Sequence, residues 1–296
     1  MTVRVSVVIP TYNRAADLAR ALGSIFVQTF AAWEVIVVDN RSNDGTRAYV
    51  EGLRDPRLRF IEIDNGGVVA ASRNAGWRAS RGEYVALLDS DDWWKPRKLE
   101  LSVAALDAGA DIVYHDLLLA RRAGQRLHLR RSRTRRLQAP AHDDLLEGGN
   151  ALTNSSVVVR RKLLEAIGGI SEERALIAFE DYDTWLRLAQ VTGRFTRLPQ
   201  ALGYYWTGGA NLSTPERTIR NLEHFKTTYS ARADAPPRLP GWYHYGYGRA
   251  CYHLNNHIGA IAHMRAALTG RLVASKRVKA HLTIAASLLR RLRGAA

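Results

Sequence analysis

The chain has a single cysteine, Cys251, among its 296 residues. One cysteine excludes an internal disulfide framework and is typical of a reducing compartment. Long apolar runs are lacking too, since no stretch approaches the roughly 20 residues that a membrane-spanning helix needs. Residues 3–9 are predicted to form a strand that ends at Pro10, and not the apolar core of a signal peptide. We therefore expect a cytoplasmic protein that is at most peripheral at the inner face of the cell membrane.

Acidic residues are missing or rare in two segments. Residues 121–136 hold eight arginines and no acidic residue, and residues 211–296 hold 14 lysines and arginines against three acidic residues. The charge of these two segments alone exceeds the net charge of +15, so the remainder of the chain is slightly acidic. Localised basic patches of this kind indicate anionic partners at the patches and not a generally basic protein.

Apolar segments alternate with helical patterns in the first 90 residues. Strands are predicted at residues 3–9, 34–39, 58–63 and 84–88, with helices between them. This alternation is typical of an α/β domain whose mostly parallel sheet is covered by helices. Farther along the chain, a strand is predicted at residues 154–159, and the arginine-rich residues 121–136 are predicted to form an exposed hairpin or loop. Residues 211–296 lack strand patterns and are predicted to form a helical C-terminal extension that includes a helical hairpin at residues 242–268.

Three carboxylates follow the strand at residues 84–88 within four positions: Asp89, Asp91 and Asp92. Side chains of like charge repel one another unless a cation lies between them. Hard oxygen ligands at this spacing suit Mg²⁺ or Mn²⁺, which proteins often hold with one or two carboxylates plus substrate phosphates. The alternative is a solvated acidic turn before a helix that begins near Pro96.

Polar segments follow each of the predicted parallel strands. They are residues 10–14, Asp39, residues 64–67 and residues 89–92. In open α/β sheets, ligands bind beyond the carboxyl ends of the strands. Because all four segments fall at that edge, we predict a ligand site there.

Five motifs in this order resemble the inverting glycosyltransferases of family 2, which have the GT-A fold. The matching segments are residues 7–14 (VVIPTYNR), 37–46 (VVDNRSNDGT), 73–76 (RNAG), 88–92 (LDSDD) and 180–187 (EDYDTWLR). The resemblance covers residues 3–206. It implies a GT-A catalytic domain over residues 1–210, with a nucleotide-sugar half at 1–110 and an acceptor half at 111–210.

The resemblance also implies the residues that bind the donor nucleotide-sugar. Contact with the nucleoside is implied for Pro10, Thr11, Tyr12 and Asp39, and the wider substrate-binding set also includes Arg14, Asp89 and Glu180. Arg73 and Asn74 either contact the donor or pack and cap their helix.

Metal and catalytic residues are implied in the same way. Asp91 is the expected ligand of a divalent metal, Mn²⁺ or Mg²⁺, with help from Asp89 or Asp92. Asp181 matches the carboxylate that deprotonates the acceptor hydroxyl, although an aspartate at a helix start also stabilises the helix by capping. Trp185 is either a core residue or a platform for the acceptor sugar.

Three departures from the family pattern limit the resemblance. Asn40 stands where many members have an aspartate, and residues 204–213 lack the histidine that some members carry there. The Gln-x-x-Arg-Trp motif of processive polysaccharide synthases is absent as well. Without that histidine, a histidine contact to metal or phosphate is not expected. The missing synthase motif, together with the lack of membrane spans, favours an enzyme that adds a single sugar.

The C-terminal segment has an apolar stripe, Val278, Leu282, Ala285, Leu289 and Leu292, flanked by lysines and arginines. This composition is typical of a helix that lies on an anionic membrane surface. The alternative is an ordinary helix that packs on the rest of the protein.

The expected function is transfer of one sugar from a nucleotide-diphospho-sugar, with UDP favoured, to a glycan or lipid-diphosphate-linked acceptor in bacterial surface polysaccharide synthesis. One alternative is a sugar nucleotidyltransferase, but the N-terminal region shows no glycine-rich phosphate loop. Another is a basic protein that binds membrane or nucleic acid without catalysis. Nucleic acid is not expected, because the acidic segment would repel phosphates.

Overall fold

The computed structural model describes residues 2–122, 124–125, 127–209, 213–229 and 239–294. The chain divides into two compact units. Unit 1 comprises Met1–Gln138, Ala151–Glu172 and Glu180–Ala210, and unit 2 comprises Ala139–Asn150, Glu173–Phe179 and Asn211–Ala296. The sequence-based boundary at residue 210 remains a prediction; unit 2 also takes two short segments from the first 210 residues.

Unit 1 is built on one eight-stranded sheet. Its strands are β1 (Val5–Thr11), β2 (Trp33–Asp39), β3 (Leu58–Glu62), β4 (Tyr84–Leu87), β5 (Trp93–Trp94), β6 (Ile112–Ala120), β7 (Val158–Arg160) and β8 (Phe195–Trp206). Their order across the sheet is β3-β2-β1-β4-β7-β6-β8-β5. The first four strands are parallel. β7 runs antiparallel to β4 and to β6, and β8 runs parallel to β6.

Helices complete both units. Those of unit 1 are α1 (Ala15–Phe26), α2 (Thr46–Gly52), α3 (Val69–Arg78), α4 (Lys98–Asp107), α6 (Arg161–Ala166) and α7 (Glu180–Val191). Those of unit 2 are α5 (Ala141–Gly148), α8 (Pro215–Tyr229), α9 (Gly241–His253), α10 (His257–Thr269) and α11 (Ala274–Gly294). Every residue of β1, β2 and β4 is buried, as expected for parallel strands covered on both faces. The predicted mixed α/β architecture with C-terminal helices is confirmed.

The second half of the sheet was predicted less well. The strand expected at residues 154–159 is a short 3-10 helix, Asn154–Ser156, followed by β7. The 12-residue strand β8 was not predicted, since its apolar residues do not alternate regularly and Pro199 interrupts it. The arginine-rich segment was expected to be a hairpin or loop, and it turns back to form an antiparallel bridge between Leu118 and Arg131.

Unit 2 contains the predicted helical hairpin, formed by α9 and α10. Gly248 lets the two helices approach closely, since a β-carbon there would lie 3.1 Å from the side chain of Met264. A small core that includes Tyr245, Met264, Ala267 and Ala280 joins α11 to this pair. Within the described ranges, no helix is long and apolar enough to cross a membrane.

Candidate active site

The ends of β1 and β2 meet at one edge of the sheet, where Thr11 lies opposite Asp39. Both residues are buried, while Tyr12 is 56% exposed. The Asp39 carboxylate accepts hydrogen bonds from the backbone amide of Ser42, at 2.8 Å, and from the Ser42 hydroxyl. This turn fixes the Asp39 carboxylate at the strand end, beside an exposed aromatic side chain.

Arg73 on α3 connects the end of β4 to the start of α7. Its guanidinium donates to Asp89 at 2.7 Å and to Glu180 at 2.6 Å. Asn154 donates to the same Asp89 oxygen at 3.0 Å. Burial opposes the charge of Arg73, but the two carboxylates outweigh it and hold its pKa above the ordinary value. Arg73 therefore joins two motifs that are far apart in the sequence.

The close packing of α3 on the sheet explains the position of Arg73. A β-carbon on Gly76 would lie 2.3 Å from the Val8 side chain, so only glycine allows α3 to approach β1 this closely. Asn74 is buried and bonds to the backbone of Ile170 and to Glu172. For Asn74 the structure thus favours the packing role over the predicted donor contact.

Asp91 and Asp92 follow Asp89 in the same loop. Burial, then the charge of Asp89, raises the pKa of Asp91, although Arg14 pairs with it and opposes the shift. Burial and the charges of Asp89 and Asp91 raise the pKa of Asp92 well above its ordinary value. The Trp206 backbone amide donates to Asp92 at 2.8 Å. The loop therefore carries unfavourable negative charge that a cation would relieve.

The carboxylates of Asp89, Asp91 and Asp92 are chemically suited to a divalent metal. Among the described residues, no group of three His, Cys, Asp or Glu side chains is arranged to hold a metal ion. Asp89 is engaged by Arg73, and Asp92 by a backbone amide. Asp91 is the most available of the three, because its partner Arg14 is 32% exposed. Mg²⁺ and Mn²⁺ are commonly held by one or two carboxylates, with phosphates completing the shell.

Helix α7 begins with the acidic residues that the sequence singled out. Glu180 is buried in its pair with Arg73, and Asp181 is half-buried with one carboxylate oxygen 2.6 Å from the Tyr182 amide. Asp183 pairs with Arg187 one turn later. Trp185 is fully buried, so for this residue the structure favours the core alternative and not the sugar platform.

Tyr205 on β8 is a site residue that sequence reasoning missed. Burial raises the pKa of its phenol, and the charges of Asp92, Asp89, Asp91 and Asp181 raise it further. The phenol therefore stays protonated and can donate a hydrogen bond. The geometric link between α7 and the acidic loop is Arg73, which bonds both Asp89 and Glu180, so the start of α7 and the loop lie in one site. The signal for Tyr205 was hidden because β8 itself was not predicted.

Arg20 on α1 is a second residue that the sequence did not reveal. It donates to the backbone oxygen of Asp91 at 2.9 Å. Its guanidinium lies 4.4 Å from the centre of the Trp93 ring and 5.1 Å from that of Trp206. Stacking on aromatic rings suits a planar guanidinium. Arg20 thus fixes the backbone at Asp91 without occupying its carboxylate.

Comparisons with known proteins identify the family of the chain. The family model for glycosyl transferase family 2 matches residues 6–168, more than half of the chain. The chain belongs to glycosyl transferase family 2. The predicted family is thereby confirmed.

Two similar bacterial proteins are named for succinoglycan biosynthesis and for glucosyl transfer to a lipid-linked sugar. The succinoglycan biosynthesis protein ExoO of Rhizobium meliloti is 38% identical over 126 residues, which is 42% of this chain and 36% of that protein. The UDP-Glc:alpha-D-GlcNAc-diphosphoundecaprenol beta-1,3-glucosyltransferase WfgD of Escherichia coli is 33% identical over 102 residues, or 34% of this chain and 40% of that protein. The chain thus spans well under half the length of these relatives.

A solved structure extends the likeness to the whole fold. A mannosyltransferase from Pyrobaculum calidifontis, in complex with GDP-Man and Mn²⁺, superposes with a TM-score of 0.60. The match covers 99% of this chain and 88% of that protein at 21% sequence identity. The predicted GT-A fold is confirmed.

Proposed function

We propose that this member of family 2 is a metal-dependent inverting glycosyltransferase of bacterial surface polysaccharide synthesis. It moves one sugar from a nucleotide-diphospho-sugar to a hydroxyl of a glycan or lipid-linked acceptor. The observation that carries the proposal is the position of Arg73, which bonds both Asp89 of the acidic loop and Glu180, the residue before Asp181. A base for the acceptor and a charged loop for the leaving diphosphate then lie in one site.

The donor would lie along the carboxyl ends of β1, β2 and β4. Pro10, Thr11, Tyr12 and Asp39 are proposed for the nucleoside, and the exposed Tyr12 ring offers a surface for stacking. If the Asp39 carboxylate accepts a hydrogen bond from the base, it either gives up a hydrogen bond from Ser42 or accepts the new one alongside it. UDP is the favoured nucleotide because the similar Escherichia coli enzyme is named for UDP-Glc.

Asp181 is proposed as the general base. A carboxylate at the first turn of a rigid helix can take the proton of the acceptor hydroxyl as that oxygen attacks the anomeric carbon. One displacement from the opposite face of the sugar inverts the configuration, so no carboxylate has to act as a nucleophile. Tyr205 stays protonated and can donate to a sugar or phosphate oxygen.

The acidic loop is proposed to hold Mn²⁺ or Mg²⁺ through Asp91, with Asp89 or Asp92 in support. Such an ion neutralises charge on the departing diphosphate. Arg73 keeps Asp89 and Glu180 in place. Arg14, which pairs with Asp91, would be a candidate partner for the diphosphate if a bound ion took its place on that carboxylate.

The acceptor is proposed to be lipid-linked, at the inner face of the cell membrane. Support comes from the similar enzyme of Escherichia coli, whose named acceptor is a sugar on diphosphoundecaprenol. On this proposal the reaction takes place where such lipids are anchored.

The test is a thermal-shift screen of nucleotide-sugars with and without Mn²⁺, followed by analysis of the products. A ligand raises the melting temperature according to its affinity and concentration. We expect a UDP-sugar to stabilise the protein more with Mn²⁺ than without it, and the reaction to release UDP. Release of pyrophosphate would identify a nucleotidyltransferase, and no stabilisation by any nucleotide-sugar would contradict a transferase function.

A further inference from the structure

Helix α11 in unit 2 presents its large apolar side chains to solvent. We define its outer face as five apolar residues whose side chains are between 42 and 71% exposed: Val278, Leu282, Leu288, Leu289 and Leu292. An ordinary helix of a globular protein turns such a stripe toward the core. Here the stripe is turned away from the core of unit 2.

The opposite face of α11 explains this orientation. Ala280 and Ser287 are fully buried, and the partly buried Ile284 packs against the core that contains Tyr245 and Met264. Two small side chains and Ile284 thus attach the helix to unit 2, while the leucines and Val278 remain outside. The apolar stripe is not required to hold the helix in place, so the outer face is available for a partner.

The charge of the segment favours an anionic partner. Residues 271–296 contain Arg271, Lys276, Arg277, Lys279, Arg290, Arg291 and Arg293, and no acidic residue. Two of these cations lie against tyrosines of α9: Lys276 is 5.6 Å from the Tyr245 ring centre, and Arg290 is 5.1 Å from that of Tyr252. Exposed leucines with basic neighbours match the two requirements of a helix that lies in a lipid interface.

We propose that α11 binds the surface of an anionic lipid bilayer, with the outer face inserted among the headgroups and the exposed Arg277, Lys279 and Arg291 on the lipid phosphates. A second copy of the chain fits less well, because two outer faces in contact would bring their basic flanks together. A nucleic acid would engage the cations but would leave the leucines without an apolar partner. The inference goes beyond sugar transfer and is independent of it, because binding needs no donor.

The test is flotation of the full chain with vesicles, in the absence of nucleotide. We expect the protein to float with phosphatidylcholine vesicles that contain phosphatidylglycerol, and far less with phosphatidylcholine alone or at high salt. The double substitution Leu282→Glu/Leu289→Glu should lower the partition coefficient about a hundredfold, since burying one leucine is worth about a tenfold change.

The matched control is Val27→Glu/Val191→Glu, which adds the same charge at two exposed apolar residues of unit 1. It should float like the parent, and both variants should keep the parent's melting temperature because all four positions are exposed. Should the glutamates on α11 unfold the protein, Leu282→Gln/Leu289→Gln provides the same comparison without added charge. Donor binding measured on the same preparations should be unchanged, which separates this test from that of the transferase.

Three results would overturn the inference. One is that the α11 variant floats as well as the parent. Another is that the control variant loses vesicle binding to the same extent, because the change in net charge alone would then explain the loss in both variants. The third is that the parent does not float with vesicles. It would then either form a dimer that the α11 substitutions convert to a monomer, or bind duplex DNA.

Discussion

Asp89 and Asp91 stand two residues apart after the same strand, and each pairs with an arginine in a different environment. Arg73 is 6% exposed and also holds Glu180, whereas the side chains of Arg14 and Asp91 are 32% and 26% exposed. Removing a buried arginine leaves its carboxylates uncompensated, whereas a pair whose arginine is nearer to solvent contributes less. Arg73 therefore holds Asp89 and Glu180 in place, whereas Arg14 pairs with a carboxylate that a metal ion can bind instead.

The largest expected effect is on the buried pair. Arg73→Met should lower the free energy of unfolding by about 3–5 kcal/mol, because Asp89 and Glu180 would be left without a counter-charge. Urea denaturation measures this change. The control is Arg4→Met, which removes a more exposed pair with Asp107 and should cost no more than about 1 kcal/mol. Equal effects of the two substitutions would remove the distinction between buried and exposed pairs.

An intermediate effect is expected at Asp91. Asp91→Asn should abolish the extra stabilisation that Mn²⁺ gives in the presence of UDP, because the side chain loses the charge that holds the ion. At ligand concentrations about 100 times Kd, that stabilisation is about 2.7 kcal/mol. Thermal melts with UDP, with and without Mn²⁺, give the difference. The control Asp107→Asn, at a residue that pairs with Arg4, should leave the extra stabilisation by Mn²⁺ intact. If Asp91→Asn keeps all of that stabilisation, Asp91 is not the ligand.

The smallest effect is expected at Arg14, where the substitution should strengthen metal binding and not weaken it. Arg14→Gln should raise the affinity for Mn²⁺ about fivefold, because the ion no longer competes with the guanidinium and a partly exposed pair is worth on the order of 1 kcal/mol. Calorimetric titration with Mn²⁺ alone measures this. Arg97→Gln, which breaks an exposed pair with Glu100, is the matched control. A lower affinity in Arg14→Gln would show that Arg14 orients Asp91 and does not compete for it.

Local patterns in the sequence were sufficient to predict the parallel half of the sheet. β1, β2, β3 and β4 are short apolar runs bounded by turn residues, and each ends within two residues of its predicted end. The edge at which Asp39 and Asp89 lie follows from strand direction alone. The order of strands and turns therefore placed the polar segments at one edge, and the family resemblance then named the residues proposed for the donor.

Contacts over long sequence distances could not be predicted. Arg73 reaches Glu180 across 107 residues, and neither motif indicates that the other is its partner. Tyr205 lies on β8, whose pairing with β6 contains a register shift and leaves no regular alternation in the sequence. The sequence also left two alternatives for α11, because burial of the opposite face depends on small residues such as Ala280 that carry little periodic signal.

Asp181 tests the central claim most directly, because it separates catalysis from donor binding. Asp181→Asn keeps the shape of the side chain but cannot accept the acceptor proton. The measurement is UDP release from the donor found in the screen, with an acceptor preparation that supports turnover of the parent, alongside UDP affinity of the same sample. We predict that turnover falls on the order of 10²–10⁴-fold while UDP affinity stays near the parent value. Normal turnover, or loss of turnover together with UDP binding, would contradict the role of Asp181 as the base.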